Sequence, residues 1–235
     1  MSDLIVPRGD VLFADDFTGD LSGWHHEGKG TAEIVQSETG PALRLDCTGS
    51  AQGGVGCHAF CRTDFPDHIA LEYDLLVRKS NGLVITFMAM RGLNGEDMLT
   101  DLPPREGLFK DYTGDDAVLR SYHTSVSRYD DRGEHTGVSN WRRNPGLHLM
   151  AQGDDLCREI GQRYAIRMVK DGPHLQLGVN GVLATEFTDP DQLCDEIPAS
   201  GKIGFRAIGS EVIAEISNFR VRAIDQDHSL HRIEP

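Results

Sequence analysis

Short runs of alternating apolar and polar residues make up most of the chain, and turn-forming residues separate them. The runs are rich in Val, Ile, Phe, Tyr and Thr, whereas Gly, Pro, Asn and Asp are concentrated between them. A period of two residues is typical of strands that bury one face, so the pattern predicts β-structure nearly throughout. The predicted strands are Val11–Phe17, Ala32–Gln36, Ala42–Asp46, Gly56–Arg62, His68–Val77, Leu83–Met90, Arg120–Tyr129, Gly146–Ala151, Arg163–Lys170, His174–Val179, Val182–Phe187, Gly201–Ala207 and Val212–Ala223.

Turn chemistry supports an antiparallel arrangement of these strands. The sequences Lys170-Asp171-Gly172, Asn180-Gly181 and Ser80-Asn81-Gly82 contain Asn-Gly or Asp-Gly pairs. Such pairs adopt the positive φ angles that tight hairpins require. Helical signals are limited to Asp154–Ile160 and Asp189–Cys194, which are acidic in their first turns. The pattern therefore predicts an all-β fold of two stacked antiparallel sheets, without a helical layer.

Two long irregular segments interrupt the pattern. Arg91–Leu119 contains a Pro-Pro pair and several glycines, and Asp130–Asn144 follows the next predicted strand. Loops of this length in compact domains are often functional. Both segments flank the strand that contains Tyr122 and His123, so we expect them to form the walls of a groove over one sheet face.

Composition narrows the class of protein. A length of 235 residues suits one domain over 1–235, with a core at about 11–223 and a polar tail at 225–235. The formal net charge of −14 gives no positive field for a nucleic acid or an anionic membrane. Neither is therefore an expected partner.

The sequence also predicts a soluble, cytoplasmic protein. Its longest apolar run, Leu83–Met90, is far shorter than the roughly 20 residues that span a membrane. The N-terminus has acidic Asp3 where a signal peptide would carry positive charge. The five cysteines show no CxxC spacing, which favours reduced thiols over a disulfide framework.

The predicted strand Arg120–Tyr129 has an unusually polar face. With a period of two, Ser121, His123 and Ser125 point to one side of the sheet and Tyr122 points to the other. The functional interpretation is an open ligand surface with His123 at its centre. The alternative is an ordinary solvent-facing strand that carries a histidine by chance.

A second polar cluster lies in Asn140–His148. It contains one indole, two guanidiniums, two side-chain amides and one imidazole. Arginine forks onto carboxylates and tryptophan stacks on the CH face of a sugar, a combination that suits a uronic acid. The alternative is a surface loop with a buried tryptophan and solvated arginines.

The middle of the chain differs in charge from the rest. Arg105–His148 holds seven Lys or Arg residues and seven Asp or Glu residues, so the entire −14 lies elsewhere. A locally neutral groove on a negative protein could admit an anionic sugar. The alternative is that loop charges of both signs pair with one another.

Elimination from a uronic acid needs a group that neutralises the carboxylate, a base for the C5 proton and an acid for the leaving oxygen. In the elimination hypothesis, His123 transfers the proton and Tyr122 or His148 assists. Arg143 and Asn144 hold the substrate carboxylate. Because Tyr122 and His123 are adjacent, they face opposite sides unless the strand is bulged. The predicted substrate-binding residues are Arg128, Asn140, Trp141, Arg143, Asn144 and Lys110.

Two other functions stay open at this point. Hydrolysis of a glycosidic bond needs two facing carboxylates, and Glu72 and Asp74 share a strand face because they are two residues apart. A non-catalytic sugar-binding module would use the same polar residues for binding alone. No cofactor is required by these functions, and a structural calcium ion is a candidate among Asp15, Asp16 and Asp20.

Several motifs resemble those of known proteins. At the ends of the chain they are Leu12-Phe-Ala-Asp-Asp-Phe17, Trp24, Gly201-Lys-Ile-Gly-Phe-Arg206 and Ile216-Ser-Asn-Phe-Arg-Val-Arg222. In the middle they are Asp64-Phe65-Pro66-Asp67, Glu72-Tyr73-Asp74, Ser121-Tyr-His-Thr-Ser125, Arg128 and Asn140-Trp-Arg-Arg-Asn-Pro-Gly-Leu-His148. The end motifs are similar to those of concanavalin A-like lectin/glucanase jelly rolls. The middle motifs resemble the YesU-like proteins, a bacterial family of unknown function.

This resemblance implies a curved two-sheet jelly roll with long loops over its concave face, and a link to plant or algal polysaccharide use. It implies no established reaction, and the glucanase signature ExDxxE is not matched because Val77 stands at its last position. The function hypothesis is a carbohydrate-active protein that cleaves a uronic-acid-containing oligosaccharide as a lyase, with hydrolysis or binding alone as alternatives. Edge strands of sandwiches often pair between subunits, so a homodimer is a candidate assembly.

Overall fold

The computed structural model of the chain describes residues 3–49, 54–193 and 196–225. Within these ranges the chain forms fifteen strands and one short helix, α1 (Phe109–Thr113). The strands are β1 (Val11–Asp15), β2 (Trp24–Gly28), β3 (Thr31–Ser37), β4 (Gly40–Asp46), β5 (Cys57–Cys61), β6 (Ile69–Lys79), β7 (Gly82–Gly92), β8 (Leu119–Val126), β9 (Val138–Asn144), β10 (His148–Asp154), β11 (Arg163–Asp171), β12 (His174–Val179), β13 (Val182–Thr188), β14 (Lys202–Gly209) and β15 (Ile213–Ala223).

The strands form two antiparallel sheets, as the alternating pattern predicts. Sheet A has the order β13-β12-β11-β6-β15-β4-β3, and β1 pairs with the second half of β15. Sheet B has the order β10-β9-β8-β7-β14-β5-β2. The prediction of an all-β jelly-roll sandwich is confirmed. The central strand of sheet B is β7 and β8 lies next to it, so the strand that carries His123 is an interior strand of its sheet.

The main core lies between the sheets and is rich in aromatic rings. The indole of Trp24 lies 5.9 Å from the ring of Phe205 and 5.1 Å from that of Phe219, measured between ring centroids. Tyr73 Oη lies 2.7 Å from Thr86 Oγ1, so the phenol is satisfied although it is fully enclosed. Burial of each large apolar side chain contributes roughly 1.5–3 kcal/mol to stability. The inward half of each alternating strand therefore fixes how the two sheets pack.

The positive φ angles predicted for three turns occur at Asn180-Gly181 and at Gly172, but not at Asn81 or Gly82, and two strands were missed. Asn180 and Gly181 have φ angles of +51° and +78°, as a tight hairpin requires. The missed strands are β2 and β9, and β9 occupies the second half of the segment that was predicted to be the loop Asp130–Asn144. Both strands place charged side chains in buried positions, so their sequences show no clean alternation.

The two predicted helical pieces are not helical. Asp154 is the last residue of β10, and the residues after it form a turn in which Asp155 Oδ1 accepts the backbone N–H of Cys157 at 3.0 Å. Asp189 Oδ1 likewise accepts the N–H of Asp191 at 2.9 Å. An aspartate that caps the N–H two residues ahead starts a turn as readily as a helix, which explains the wrong prediction. Cys194 lies outside the described residues.

The long loop, residues 93–118, crosses the face of sheet B that points away from sheet A. This face is called the outer face of sheet B below. The loop contributes Met98 and Tyr112 to a second hydrophobic cluster, together with Phe60, Phe87 and other side chains of the outer face. Lys202 Nζ ties the start of the loop to the sheet, since it lies 2.7 Å from Asp97 and 2.9 Å from Asp64. One face of sheet B is therefore covered by sheet A and part of the other by this loop.

Three remaining sequence predictions concern cysteines, the tail and membranes. Cys57, Cys61 and Cys157 are buried free thiols, and Cys47 is buried as well. Of the tail predicted at 225–235, residues 226–235 lie outside the described part of the chain. Within the described ranges, no helix has the length and apolar composition needed to cross a membrane.

Candidate functional site

Two rows of side chains cross the outer face of sheet B, because residues paired in register on neighbouring strands point to the same side. The first row is Glu27, His58, Arg206, Ile85, Ser125, Asn140 and Gln152. The second row is His25, Phe60, Gly204, Phe87, His123, Arg142 and Leu149. The outer face thus carries a mixture of histidines, arginines, amides and apolar groups at its centre.

The long loop covers one half of these rows. The carboxylate of Glu27 accepts hydrogen bonds from Arg105 Nη2 at 2.5 Å and from Tyr112 Oη at 2.6 Å, and both donors belong to the loop. The ring of Tyr112 then stacks on His58 with centroids 4.4 Å apart. The other half, on β8, β9 and β10, includes half-buried Arg142 and exposed Gln152. A ligand therefore meets the β8–β10 half of the outer face first.

His123 lies at the boundary between the covered and the open half. It is only 2% exposed, and its ring centroid lies 5.2 Å from that of Phe87 and 6.1 Å from that of Phe109. Its Nδ1 lies 2.9 Å from Asn144 Nδ2, which also donates to Ser121 Oγ at 2.9 Å. With the amide nitrogen donating to Nδ1, the neutral ring carries its proton on Nε2. His123 is thus arranged as a hydrogen-bond donor.

Burial and neighbouring charge keep this ring neutral. Loss of solvent, followed by the positive charges of Arg142 and Arg206, lowers the pKa of His123 to about 3. A base with so low a pKa is weak at neutral pH. In this conformation the geometry therefore favours a binding role over the proton-transfer role expected from the sequence.

Acid is expected to destabilise the protein through His123. Its folded-state pKa of about 3 lies below the value of about 6.5 for histidine in an unfolded chain. Between these values the unfolded chain binds a proton that the folded protein does not, so stability present above about pH 6.5 is lost as the pH falls, by up to about 1.4 kcal/mol per pH unit. Urea unfolding at several pH values measures this, and the loss should be smaller in His123→Gln. An equal loss in both proteins would contradict the assignment.

Two arginines on the open half have no carboxylate partner. Arg142 Nη1 donates to the carbonyl of Leu147 at 2.6 Å, and Arg128 Nη1 donates to that of Val138 at 3.1 Å. Neither guanidinium forms an ion pair with any carboxylate in the described part of the chain. Burial is the main cause that lowers the pKa of Arg128; the charge of Asp155 partly opposes it, and that of Arg142 adds to it. The open half therefore carries two guanidiniums that no described carboxylate contacts directly.

A cavity of about 710 Å³ adjoins this charge, between α1 and the turn that joins β9 to β10. Phe109 and Leu147 are among its lining residues, and Lys110 and Asp115 add one charge of each sign. Since the carbonyl of Leu147 holds Arg142, the guanidinium lies next to the cavity. A cavity of several hundred Å³ is large enough for a small ligand or part of a larger one.

Three of the predicted site residues point the other way, into the space between the sheets. Tyr122 Oη donates to Asp189 Oδ2 at 2.5 Å, and Arg143 Nη1 lies 3.0 Å from the same oxygen. The ring of fully buried Trp141 lies 5.8 Å from that of Phe187. The register of β8 is regular at Tyr122, so no bulge returns this side chain to the face of His123. The expected pairing of Tyr122 or Arg143 with His123 at one site is therefore wrong.

Of the remaining residues predicted for the site, four lie at or beside the outer face of sheet B and one, His148, lies elsewhere. Lys110, Arg128, Asn140 and Asn144 belong to the outer face of sheet B or to the cavity beside it. His148 pairs in register with Arg143, and its Nε2 lies close to the backbone of Gly146, so it does not accompany His123.

The two candidate carboxylates lie on the opposite side of the molecule from His123. Glu72 and Asp74 belong to β6 of sheet A, where Arg167 Nη2 lies 2.7 Å from Glu72 and Arg163 Nη1 lies 3.4 Å from Asp74. They line a cavity of about 430 Å³ on the outer face of that sheet. Their partners satisfy them as surface ion pairs, so they do not complete a site with His123.

Sequence reasoning missed several members of the rows, among them Glu27, His58 and Arg206. Arg206 was used only as part of a fold marker, and His58 was hidden between apolar neighbours. Strand alternation alone could have placed Arg206 on the face opposite Phe205. No local pattern, however, pairs Glu27 with Arg105, because 78 residues separate them.

The candidate calcium ligands are occupied by turn hydrogen bonds. Asp15 Oδ2 accepts from the indole of Trp24 at 2.8 Å, Asp16 Oδ1 from the hydroxyl of Thr18 at 2.7 Å, and Asp20 Oδ1 from the N–H of Ser22 at 2.9 Å. The described residues contain no group of three or more His, Cys, Asp or Glu side chains that could hold a metal ion.

Comparison with known proteins gives one relative and two informative structures. The uncharacterized protein YesU of Bacillus subtilis is 27% identical over 178 residues, which cover 74% of this chain and 76% of the relative. A solved B. subtilis protein of unknown function with a galectin-like fold has a TM-score of 0.78 at 24% identity, covering 93% of this chain and 98% of that one. A B. subtilis carbohydrate-binding module, CBM66, has a TM-score of 0.52 at 13% identity, covering 86% and 96%. The structural likenesses concern the fold.

A family model spans nearly all of the sandwich described above. It matches residues 10–221, from the start of β1 to the last strand. The chain therefore belongs to the family described as domain of unknown function DUF1961.

Proposed function

We propose that this protein binds an acidic oligosaccharide on the outer face of sheet B, with a uronic-acid carboxylate held by Arg142 and Arg128. The observation that carries the proposal is the unpaired charge of these two guanidiniums. Other described arginines at the surface form ion pairs with carboxylates, as Arg91 does with Asp64. Arginine left without a counter-ion beside a cavity is suited to an anion from outside.

Neighbouring groups suit the rest of a sugar. The side-chain amide of Asn140 lies 2.9 Å from that of Gln152. Leu149, on the same strand as Gln152, is exposed. Amides bind hydroxyl groups as donors and acceptors, and an exposed apolar side chain can contact the CH face of a pyranose. The similar fold of a carbohydrate-binding module supports this choice of ligand class.

Binding without cleavage is the function that the geometry favours. Lyase-type cleavage would need a base and an acid on the same side as the substrate carboxylate. Tyr122 lies on the opposite face, and the Nε2 atom of His123 carries the proton of the neutral ring. Incubation with pectin, alginate or rhamnogalacturonan oligomers should therefore give neither ultraviolet absorbance from a new double bond nor new reducing ends. Appearance of the absorbance would make the protein a lyase, and reducing ends alone would make it a hydrolase.

Substitution Arg142→Gln is expected to weaken binding of a galacturonate trimer about ten- to hundredfold, because one or two charge-assisted hydrogen bonds are lost. Isothermal titration calorimetry measures the affinity. A matched control is Arg132→Gln, since Arg132 is exposed and already paired with Asp130 at 2.9 Å. Neutral maltotriose should bind the parent protein weakly and the Arg142→Gln variant no differently. Equal affinity of the parent and Arg142→Gln for the acidic trimer would refute the proposal.

A further inference from the structure

Arg206 is a fully buried arginine whose donors are only partly used. It is 0% exposed, and Nη2 donates to the carbonyl of Gly54 at 2.7 Å. Its Nε and Nη1 atoms are enclosed and have no hydrogen-bond partner. Next to it in the first row, His58 is also fully enclosed, and neither of its ring nitrogens makes a well-aligned hydrogen bond. Burial, followed by the charge of Arg206, lowers its pKa, and the backbone of Glu27 and of Gly56 near the ring partly opposes this shift. Two adjacent polar side chains are thus buried with several unsatisfied groups.

Burying these polar groups without partners lowers the stability of the folded protein. A buried charge without a counter-ion loses its hydration, and burial lowers the pKa of Arg206 to about 9. The chain nevertheless makes room for the side chain, since a Cβ atom at Gly56 would lie 2.4 Å from Nε. Unsatisfied buried groups of this kind are typical of functional sites, where stability is given up for binding.

One aromatic ring separates Arg206 from the 710 Å³ cavity. The Cζ atom of Arg206 lies 4.4 Å from the ring centroid of Phe109. The same ring lies 6.1 Å from that of His123 and is among the residues that line the cavity. Phe109 is half-buried and begins α1, whose N-cap residue Leu108 makes no side-chain cap. Phe109 is therefore the side chain that contacts Arg206 and also lines the cavity.

We propose that Arg206 and His58 form a second, covered anion subsite and that the ring of Phe109 is its gate. The inference rests on the proposed function: the subsite takes a second carboxylate of the same acidic oligosaccharide. The backbone of Arg206 is three strands away from that of Arg142, roughly 14 Å at the usual strand spacing. The two subsites thus select a ligand with two separated carboxylates. Nε–H and Nη1–H of Arg206 donate to the second carboxylate, and the neutral ring of His58 adds one N–H.

The gate is tested with the galacturonate monomer as a small probe. Phe109→Ala removes the ring, so the monomer should bind about tenfold or more tightly than to the parent protein, as expected for charge-assisted hydrogen bonds that become accessible. The double variant Phe109→Ala/Arg206→Met should lose this gain. In ¹⁵N-labelled Phe109→Ala, the Arg206 Nε resonance should shift on titration. The subsite is disproved by an unchanged affinity in Phe109→Ala, or by a gain that persists in the double variant.

Stability gives a second, independent readout. Arg206→Met keeps much of the side-chain volume and removes a buried charge without a counter-ion, so its Tm should equal or exceed that of the parent protein. The matched control is Arg105→Met, which should lower the Tm because it leaves the Glu27 carboxylate buried without its partner. A lower Tm for Arg206→Met with unchanged affinity for the galacturonate trimer would mean that Arg206 is structural, and would overturn the inference.

The two proposals fail in different ways. If Arg142→Gln weakens trimer binding but Arg206→Met does not, the first subsite stands and the second is wrong. If Arg206→Met weakens trimer binding and Phe109→Ala strengthens monomer binding while Arg142→Gln changes nothing, the anion enters at Arg206 and the proposed role of Arg142 is wrong. If no variant alters the binding of either probe, both proposals are wrong.

Discussion

Replacement of Arg143 by alanine is expected to lower the free energy of unfolding by about 3–5 kcal/mol, as the loss of one partner from a buried ion pair does. Arg143 is 1% exposed, and its Nη1 lies 3.0 Å from Asp189 Oδ2, the oxygen that also accepts the Tyr122 hydroxyl. Without the guanidinium, a carboxylate that is itself only 4% exposed loses its positive partner. Because typical domains unfold at a cost of 5–15 kcal/mol, the variant should be close to unfolding at room temperature. Urea unfolding followed by circular dichroism measures the change.

The neighbouring residue is the matched control. Arg142 is half-buried, points to the outer face and makes one hydrogen bond, to the carbonyl of Leu147. Arg142→Ala should therefore cost about 1 kcal/mol or less in stability and should act on ligand binding instead. If Arg143→Ala unfolds like the parent protein and only loses ligand, Arg143 is not held in the interior as the structure shows.

These two adjacent arginines illustrate what the sequence can and cannot predict. The alternation of β8 correctly places His123 and Ser121 on one face and Tyr122 on the other, because a regular strand has a period of two. The same rule was not applied to Arg142 and Arg143, since their segment was not recognised as a strand. The partner that explains the inward arginine is Asp189, which lies 46 residues further along the chain. Contacts over such separations leave no local pattern.

The charge balance of Arg105–His148 is a second case in which the sequence could not predict which groups come together. A neutral balance between Arg105 and His148 was predicted to admit an anionic sugar, with pairing of the loop charges as the alternative. The structure bears on the alternative alone, because loop charges pair both within the segment and beyond it: Arg132 pairs with Asp130 inside the segment, whereas Arg105 and Arg120 pair with Glu27 and Glu196 outside it.

Counting charges therefore could not identify which cations stay unpaired. The answer depends on the fold: β9 carries Arg142, the segment that follows β8 brings Arg128 to the start of β9, and β14 adds Arg206 from a distant part of the sequence. Each of the three uses backbone carbonyls as acceptors and forms no ion pair within the described residues. The set of arginines without a direct carboxylate contact is a property of the outer face of sheet B and not of a sequence segment.

Substitution Glu27→Ala is expected to lower the free energy of unfolding by a similar amount, about 3–5 kcal/mol, and to loosen the long loop as well. Glu27 is 5% exposed, and its carboxylate accepts from Arg105 Nε at 3.0 Å, from Arg105 Nη2 at 2.5 Å and from Tyr112 Oη at 2.6 Å. Without this carboxylate, the Arg105 guanidinium and the Tyr112 hydroxyl lose the acceptor that attaches the loop to the sheet. The loop should then open locally and uncover the second hydrophobic cluster, including Phe60 and Met98.

Limited proteolysis and binding of a hydrophobic dye distinguish this local effect from general unfolding. Under conditions in which Glu27→Ala remains folded, cleavage should be concentrated within residues 93–118, and dye fluorescence should rise above that of the parent protein. The matched control is Glu33→Ala, because Glu33 is an exposed acidic residue on the next strand along the chain. Glu33→Ala should alter neither cleavage nor stability by more than about 0.5 kcal/mol. Cleavage of Glu27→Ala spread evenly over the chain would mean that Glu27 holds the whole sandwich together and not the loop in particular.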